Sequence, residues 1–213
     1  MAVYATYIIW YMKSFTYQFG YMGSNCYLLT DDSGKYGVVI DPSVPVQTVL
    51  EGQDPDLVIT HILITHAHFD HLYYYEEWKQ KTQALSAIHS NEAFALANPE
   101  NNLSTMIRRP QQYPSADLLL KEGDRIPLGD ESLVVLFTPG HTGGSACFLI
   151  GERLYSGDTL FSEGSVGRTD FPTGDGQALG ASIQKLLQLP PKTLILPGHG
   201  GSSTVLEERL YHL

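Results

Sequence analysis

The stretch Leu57-Val-Ile-Thr-His-Ile-Leu-Ile-Thr65, followed directly by His66-Ala-His68-Phe-Asp70-His71, decides how the rest of the chain is read. Its first nine residues form a nearly continuous apolar run rich in β-branched side chains, which suits a strand covered on both faces. The remaining six place three imidazoles and a carboxylate at the strand exit. In extended backbone, residues 66 and 68 point to the same side. Asp70 and His71 follow at the turn into a helix, from which they reach a neighbouring point. Four such groups in six residues can serve two metal ions.

Three further loops repeat the design. They are Thr138-Pro-Gly-His141-Thr142, Ser156-Gly-Asp158-Thr159 and Leu196-Pro-Gly-His199-Gly200. In each, the candidate ligand follows an apolar strand closely, so a rigid sheet positions it. Imidazole and carboxylate without cysteine suit two divalent ions, zinc first, with iron or manganese also accommodated. Five of the eight histidines lie in these ligand loops. His61, inside the buried strand, reads as a core or supporting group, and His89 and His212 have no motif around them.

The order HxHxDH at 66–71, then His141, Asp158 and His199, resembles the metallo-β-lactamase superfamily, with the match running from about residue 14 to 201. The resemblance implies an α/β fold, the αββα sandwich, in one domain with metals at one edge. It also implies His66, His68 and His141 around one ion, Asp70, His71 and His199 around the other, and Asp158 bridging them. Asp158 sits in Gly-Asp-Thr-Leu-Phe161 where true β-lactamases use a cysteine. That context, with GxxGRTD at 164–170, is similar to the short glyoxalase II-like (hydroxyacylglutathione hydrolase-like) enzymes. The implied activity is two-metal hydrolysis of a small ester or thioester, hydroxyacylglutathione-type compounds first. Metal-bound hydroxide would be the nucleophile and Asp70 the catalytic residue that orients it. A related GRTD occurs in persulfide dioxygenases, so a mononuclear iron persulfide dioxygenase is the alternative. Glyoxalase II proper carries a further helical domain after its last metal histidine, whereas fourteen residues follow His199 here.

Two residues are expected to bind substrate. Arg168 lies ten residues beyond Asp158 in a glycine-rich loop, where a guanidinium can take the carboxylate of an anionic thioester through two parallel hydrogen bonds. Its other reading is a loop brace paired with Asp170. Tyr73, just after the first ligand cluster, is expected on the opposite wall.

Bulk properties set the frame. The 213 residues suit one domain, assigned to 14–213, behind a segment 1–13 that reads as an N-terminal extension without positive charge before Lys13. A net charge of −10 and no basic run longer than Arg108–Arg109 argue against a nucleic-acid partner. No apolar run approaches the ~20 residues of a membrane span. The expectation is a cytoplasmic monomer or homodimer acting on a small molecule, with Cys26 and Cys147 as buried free thiols. No Gly-x-Ser-x-Gly elbow or phosphate-binding Gly-x-x-x-x-Gly-Lys loop occurs. Gly174–Gly180 superficially resembles a dinucleotide loop but follows no strand, and reads as a helix start capped by Asp175. Helices are expected at 46–50, 73–82, 91–97 and 177–188, strands at 133–138, 145–150, 153–156 and 194–196, and a mobile loop at 99–114.

Overall fold

The computed structural model describes residues 12–20 and 22–212. Two six-stranded sheets face each other. The first has the order β1 (Lys13–Phe19), β2 (Ser24–Thr30), β3 (Tyr36–Ile40), β4 (Val58–Ile64), β5 (Leu85–His89) and β6 (Leu118–Leu120). The second runs β12 (Ser203–Thr204), β11 (Leu194–Pro197), β10 (Arg153–Gly157), β9 (Ala146–Ile150), β8 (Glu131–Phe137) and β7 (Arg125–Leu128). The expected αββα sandwich is what the chain forms.

Strand β4 shows why Ile62–Ile64 must be apolar. Ile62 and Ile64 point to the outer layer, where Tyr75 and Trp78 of α2 (Tyr75–Thr82) pack with Val46 and Val49 of α1 (Val46–Leu50). Leu63 points the other way, into the layer between the sheets, with Leu29, Ile40, Val135, Phe148 and Tyr155. The doubly buried part leaves little room for polar side chains, and Thr60 and His61 sit where the strand is only half-buried. It pairs in parallel with both β3 and β5, and α1 and α2 make the crossovers that parallel pairing requires. A third apolar layer joins Cys147, Leu154 and Ile195 to Leu179, Ile183 and Leu186 of α4 (Gly176–Leu186) and to Val205 of α5 (Val205–His212).

The differences from the sequence expectations are local. Strands β6, β7 and β12 were not anticipated, being two to four residues long, and β7 carries Pro127. As an edge strand it tolerates the missing amide. Helix α2 starts at Tyr75, two residues late, and α3 is only Ala93–Leu96. The segment expected as a mobile loop is tied down: buried Asn102 donates to the carbonyls of Leu96 and Gln111, and its own carbonyl receives the Phe69 amide at 2.9 Å. A 3₁₀ turn, Ser104–Ile107, lies within it. Asp175 caps α4 as expected, accepting from the amides of Gln177 and Ala178. Most of the expected extension lies outside the described residues. Lys13 already belongs to β1, and the Met12 carbonyl accepts from Arg153 at 2.9 Å. Both cysteines are buried free thiols.

Candidate metal centre

The ligand loops leave the two sheets at the same edge and converge. His66 and His68 follow β4, His141 follows β8, Asp158 follows β10 and His199 follows β11. Nitrogen and oxygen atoms of His66, His68 and His141 lie within 4.8 Å of one another, and those of Asp70, His71 and His199 form a second such set. Asp158 stands between them. Its Oδ2 lies 4.0 Å from His66 Nε2, 3.6 Å from His141 Nε2 and 3.6 Å from His199 Nε2, while Oδ1 lies 3.4 Å from His71 Nε2. All seven residues expected as ligands are therefore brought together.

Two features show that this cluster fits metal ions. First, His66 Nε2, His71 Nε2 and Asp158 Oδ1 are buried without a hydrogen-bond partner, an arrangement that is costly unless something else fills their lone pairs. Second, His68 Nδ1 and His141 Nε2 are 3.0 Å apart, close to the edge of roughly 3.3 Å expected between two nitrogens bound tetrahedrally at about 2.05 Å. The donor set is nitrogen and oxygen only. Cys147 is engaged elsewhere, with Thr138 and the Ser156 carbonyl.

The electrostatics divide the imidazoles. Burial, reinforced by the neighbouring rings, holds His66 well below the ordinary histidine range and pushes His68 down to about 3, so both present neutral nitrogens. For His71, burial pulls downward but Asp70, Asp158 and Asp41 outweigh it and raise the ring. Burial opposes ionisation of Asp70 as well, yet His71, His199 and Ser24 hold its carboxyl well below the usual range. Such a carboxylate is a poor proton acceptor at neutral pH, so its capacity lies in coordination and orientation.

A supporting shell escaped the sequence reading. Asp41, buried at the end of β3, accepts from the Thr65 amide at 2.8 Å, from Thr65 Oγ1 at 2.7 Å and from His71 Nδ1 at 3.0 Å. Thr65 Oγ1 is in turn 3.0 Å from His66 Nδ1. One carboxylate thus sets the tautomer of an imidazole in each set, leaving both Nε2 atoms free to coordinate. Buried Glu92 joins two ligand loops, accepting from the amides of Ala67 and Gly144 and from Thr142 Oγ1. Asn25 and Tyr27 of β2 both donate to the Pro197 carbonyl, fixing the loop that carries His199. Nothing short of the tertiary contacts marks these residues, although Asp41-Pro42 reads as a strand end. Of the remaining histidines, His61 is half-buried beside Thr60, and His89 is buried and stacked on Phe137 at 4.2 Å between ring centroids.

The glycine of Pro197-Gly198-His199 has a steric role. A Cβ there would run into Asp158 Oδ1 and lie 2.7 Å from His71 Cε1. Glycine is what allows the chain to pass behind the two sets.

A cavity of about 660 Å³ opens over the cluster. Its walls are Met22, Phe69, Leu103, Met106, Ile107, Phe161, Val166 and Phe171, with Gly167 and Arg168 as the remaining lining. Arg168 therefore borders the site, as expected. Its guanidinium is already engaged, however, donating from Nε at 2.8 Å and from an Nη at 2.6 Å to the Asp170 carboxylate and stacking 4.1 Å over the Phe171 ring. Its carbonyl accepts from His141 Nδ1 at 2.7 Å. Tyr73 is not among the lining residues; it packs edge-on against Phe69, which is.

A family model, the metallo-beta-lactamase superfamily, matches residues 20–199. The chain belongs to the metallo-β-lactamase superfamily. Within this superfamily, a probable metallo-hydrolase, YqgX of Bacillus subtilis, is 40% identical over 152 residues, covering 70% of this chain and 72% of the relative. The solved structure of BLEG-1, a B3 metallo-β-lactamase, superimposes with a TM-score of 0.86 at 32% identity, covering 94% of this chain and 98% of the other. That of TTHA1623 in a di-iron-bound form gives 0.80 at 33% identity, over 92% and 96%. Like other metallo-β-lactamase superfamily proteins, the chain carries a cluster suited to divalent metals. Among the described residues no helix is long and apolar enough to cross a membrane.

Proposed function

We propose that this chain is a two-metal hydrolase of a small ester or thioester, of the glyoxalase II-like kind. The observation that carries the reading is Asp158, buried between two complete ligand sets with one oxygen toward each side. His66, His68 and His141 would hold one ion and Asp70, His71 and His199 the other, with Asp158 shared. When bound, such a pair supplies an activated water and polarises the carbonyl under attack. The chain's own residues provide the rest. Asp41 and Thr65 keep the imidazole protons away from the coordinating nitrogens, and Asp70, held ionised, orients rather than takes a proton. The apolar walls lower the local polarity beside the cluster, which strengthens electrostatic interactions there. Zinc is the first choice for this all-nitrogen-and-oxygen set, with iron or manganese as the other candidates.

A mononuclear iron site of two histidines and one carboxylate around open positions would use three of the seven converged residues and leave four without a ligand role. Elemental analysis of protein purified without added metal, together with a thioester panel assayed before and after chelation, tests the proposal. Two equivalents of metal and chelator-sensitive hydrolysis are expected. One iron per chain at saturation, with oxygen uptake and no hydrolysis, would overturn it.

A further inference from the structure

We infer that the site selects an apolar acyl group, and that Met106 and Ile107 are its specificity-determining residues. The inference rests on the hydrolase reading above and names its substrate class. Beyond the metal ligands, the side chains facing the cavity are apolar except Arg168. That exception brings no net charge, because Asp170 accepts both of its parallel hydrogen bonds. A carboxylate entering there would have to displace Asp170 and remain beside it, so long-range attraction for an anion is cancelled at the point where it would be needed. An apolar chain meets no such conflict, and a volume of about 660 Å³ is within the range of small-molecule pockets.

The wall is also built in an unusual way. Met106 and Ile107 sit on the 3₁₀ turn with 61% and 41% of their surface exposed, although both are large and apolar. The residues flanking that turn, Leu103 at φ 63° and Arg108 at φ 56°, are left-handed without being glycine, each a strained conformation for its residue type. Strain of this kind persists where the surroundings enforce it, and here buried Asn102 does so, with its side-chain oxygen accepting the Ser104 amide at 3.0 Å. The result is a rigidly anchored turn that holds two water-exposed apolar side chains over the metal cluster. Phe161, 6.2 Å from the His199 ring, and Phe171, 6.0 Å from the His68 ring, close the floor on either side of the ligands.

The test uses the full chain loaded with metal and thioesters of one neutral thiol, N-acetylcysteamine, with acetyl, butyryl, hexanoyl and octanoyl groups, plus adipoyl as the hexanoyl analogue ending in a carboxylate. Each buried methylene is worth roughly a three- to fourfold gain, so kcat/KM should rise on the order of 100-fold from acetyl to hexanoyl, chiefly through KM. Adipoyl should be at least tenfold poorer than hexanoyl. Met106→Ser combined with Ile107→Ser should flatten the chain-length dependence, while Met106→Leu keeps it. A flat series, or adipoyl preferred over hexanoyl, would overturn the inference. Calorimetry with acetohydroxamate, hexanohydroxamate and octanohydroxamate separates the two readings. Affinity rising with chain length in a protein that turns over no thioester would sink the hydrolase reading and keep the apolar site. Equal affinities would sink the apolar site itself.

Discussion

Asp41→Asn is the most informative single change, because one oxygen pair serves both ligand sets. In the native protein all three contacts to Asp41 come from donors: the Thr65 amide, Thr65 Oγ1 and His71 Nδ1. An asparagine amide turned one way presents its NH₂ to Thr65 Oγ1 and His71 Nδ1. Turned the other way it presents the NH₂ to the Thr65 amide. Donor therefore faces donor in either orientation. If His71 relieves the first clash by moving its proton to Nε2, it loses the lone pair that points at Asp158. Backbone strain does not confuse the reading, since Asp41 has φ 53° and asparagine accepts that region as well as aspartate does. Site 41 is 1% exposed, so the misplaced donor has no water to turn to. A buried unsatisfied group costs about 1–3 kcal/mol, which in a domain of this size lowers Tm by roughly 2–12 °C. Loss of a supporting partner typically weakens metal binding about 10- to 100-fold. Competition against a metal-buffering chelator, followed by elemental analysis, measures the second effect, and calorimetric melting of the metal-free protein isolates the first. An Asp41→Asn protein that retains two ions at native affinity would refute the argument that Asp41 sets the ligand tautomers.

Other expectations follow from the same geometry. Gly198→Ala should abolish retention of metal in elemental analysis, because its Cβ would occupy space held by Asp158 and His71, whereas Gly201→Ala, with nothing within 4 Å, should be silent. Asp158→Ala should eliminate hydrolysis more completely than His199→Ala, since Asp158 approaches both sets and His199 only one, on the rim; equal residual rates would argue against a shared ligand. Buried Glu208 of α5 accepts from the amides of Glu163 and Gly164 and from Ser203, holding the turn between Phe161 and Val166 against the C-terminal helix. Glu208→Gln should cost about 1–3 kcal/mol and raise hydrogen exchange in residues 161–167; unchanged exchange there would show that the turn holds its shape without this anchor.

The metal cluster was legible in the sequence because its residues come in short contiguous units. A strand that must be apolar on both faces, then alternating histidines at its exit, is a local pattern, and periodicity of two alone brings His66 and His68 to one side. The order of the layers came instead from the family resemblance that these ligand motifs carry. What the sequence could not reveal are groups whose meaning depends on distant partners. Asp41 works through residues 24 and 30 positions away, and Glu92 through residues 25 to 52 positions away; each is an unremarkable carboxylate beside a turn until the loops meet. Arg168 shows the limit from the other side: its proximity to the cavity could be argued from spacing, but the choice between an incoming anion and Asp170 depended on a loop conformation that only packing settles. Tyr73 lies two residues before the start of α2 and meets Phe69 edge-on, a placement that its helical composition does not indicate.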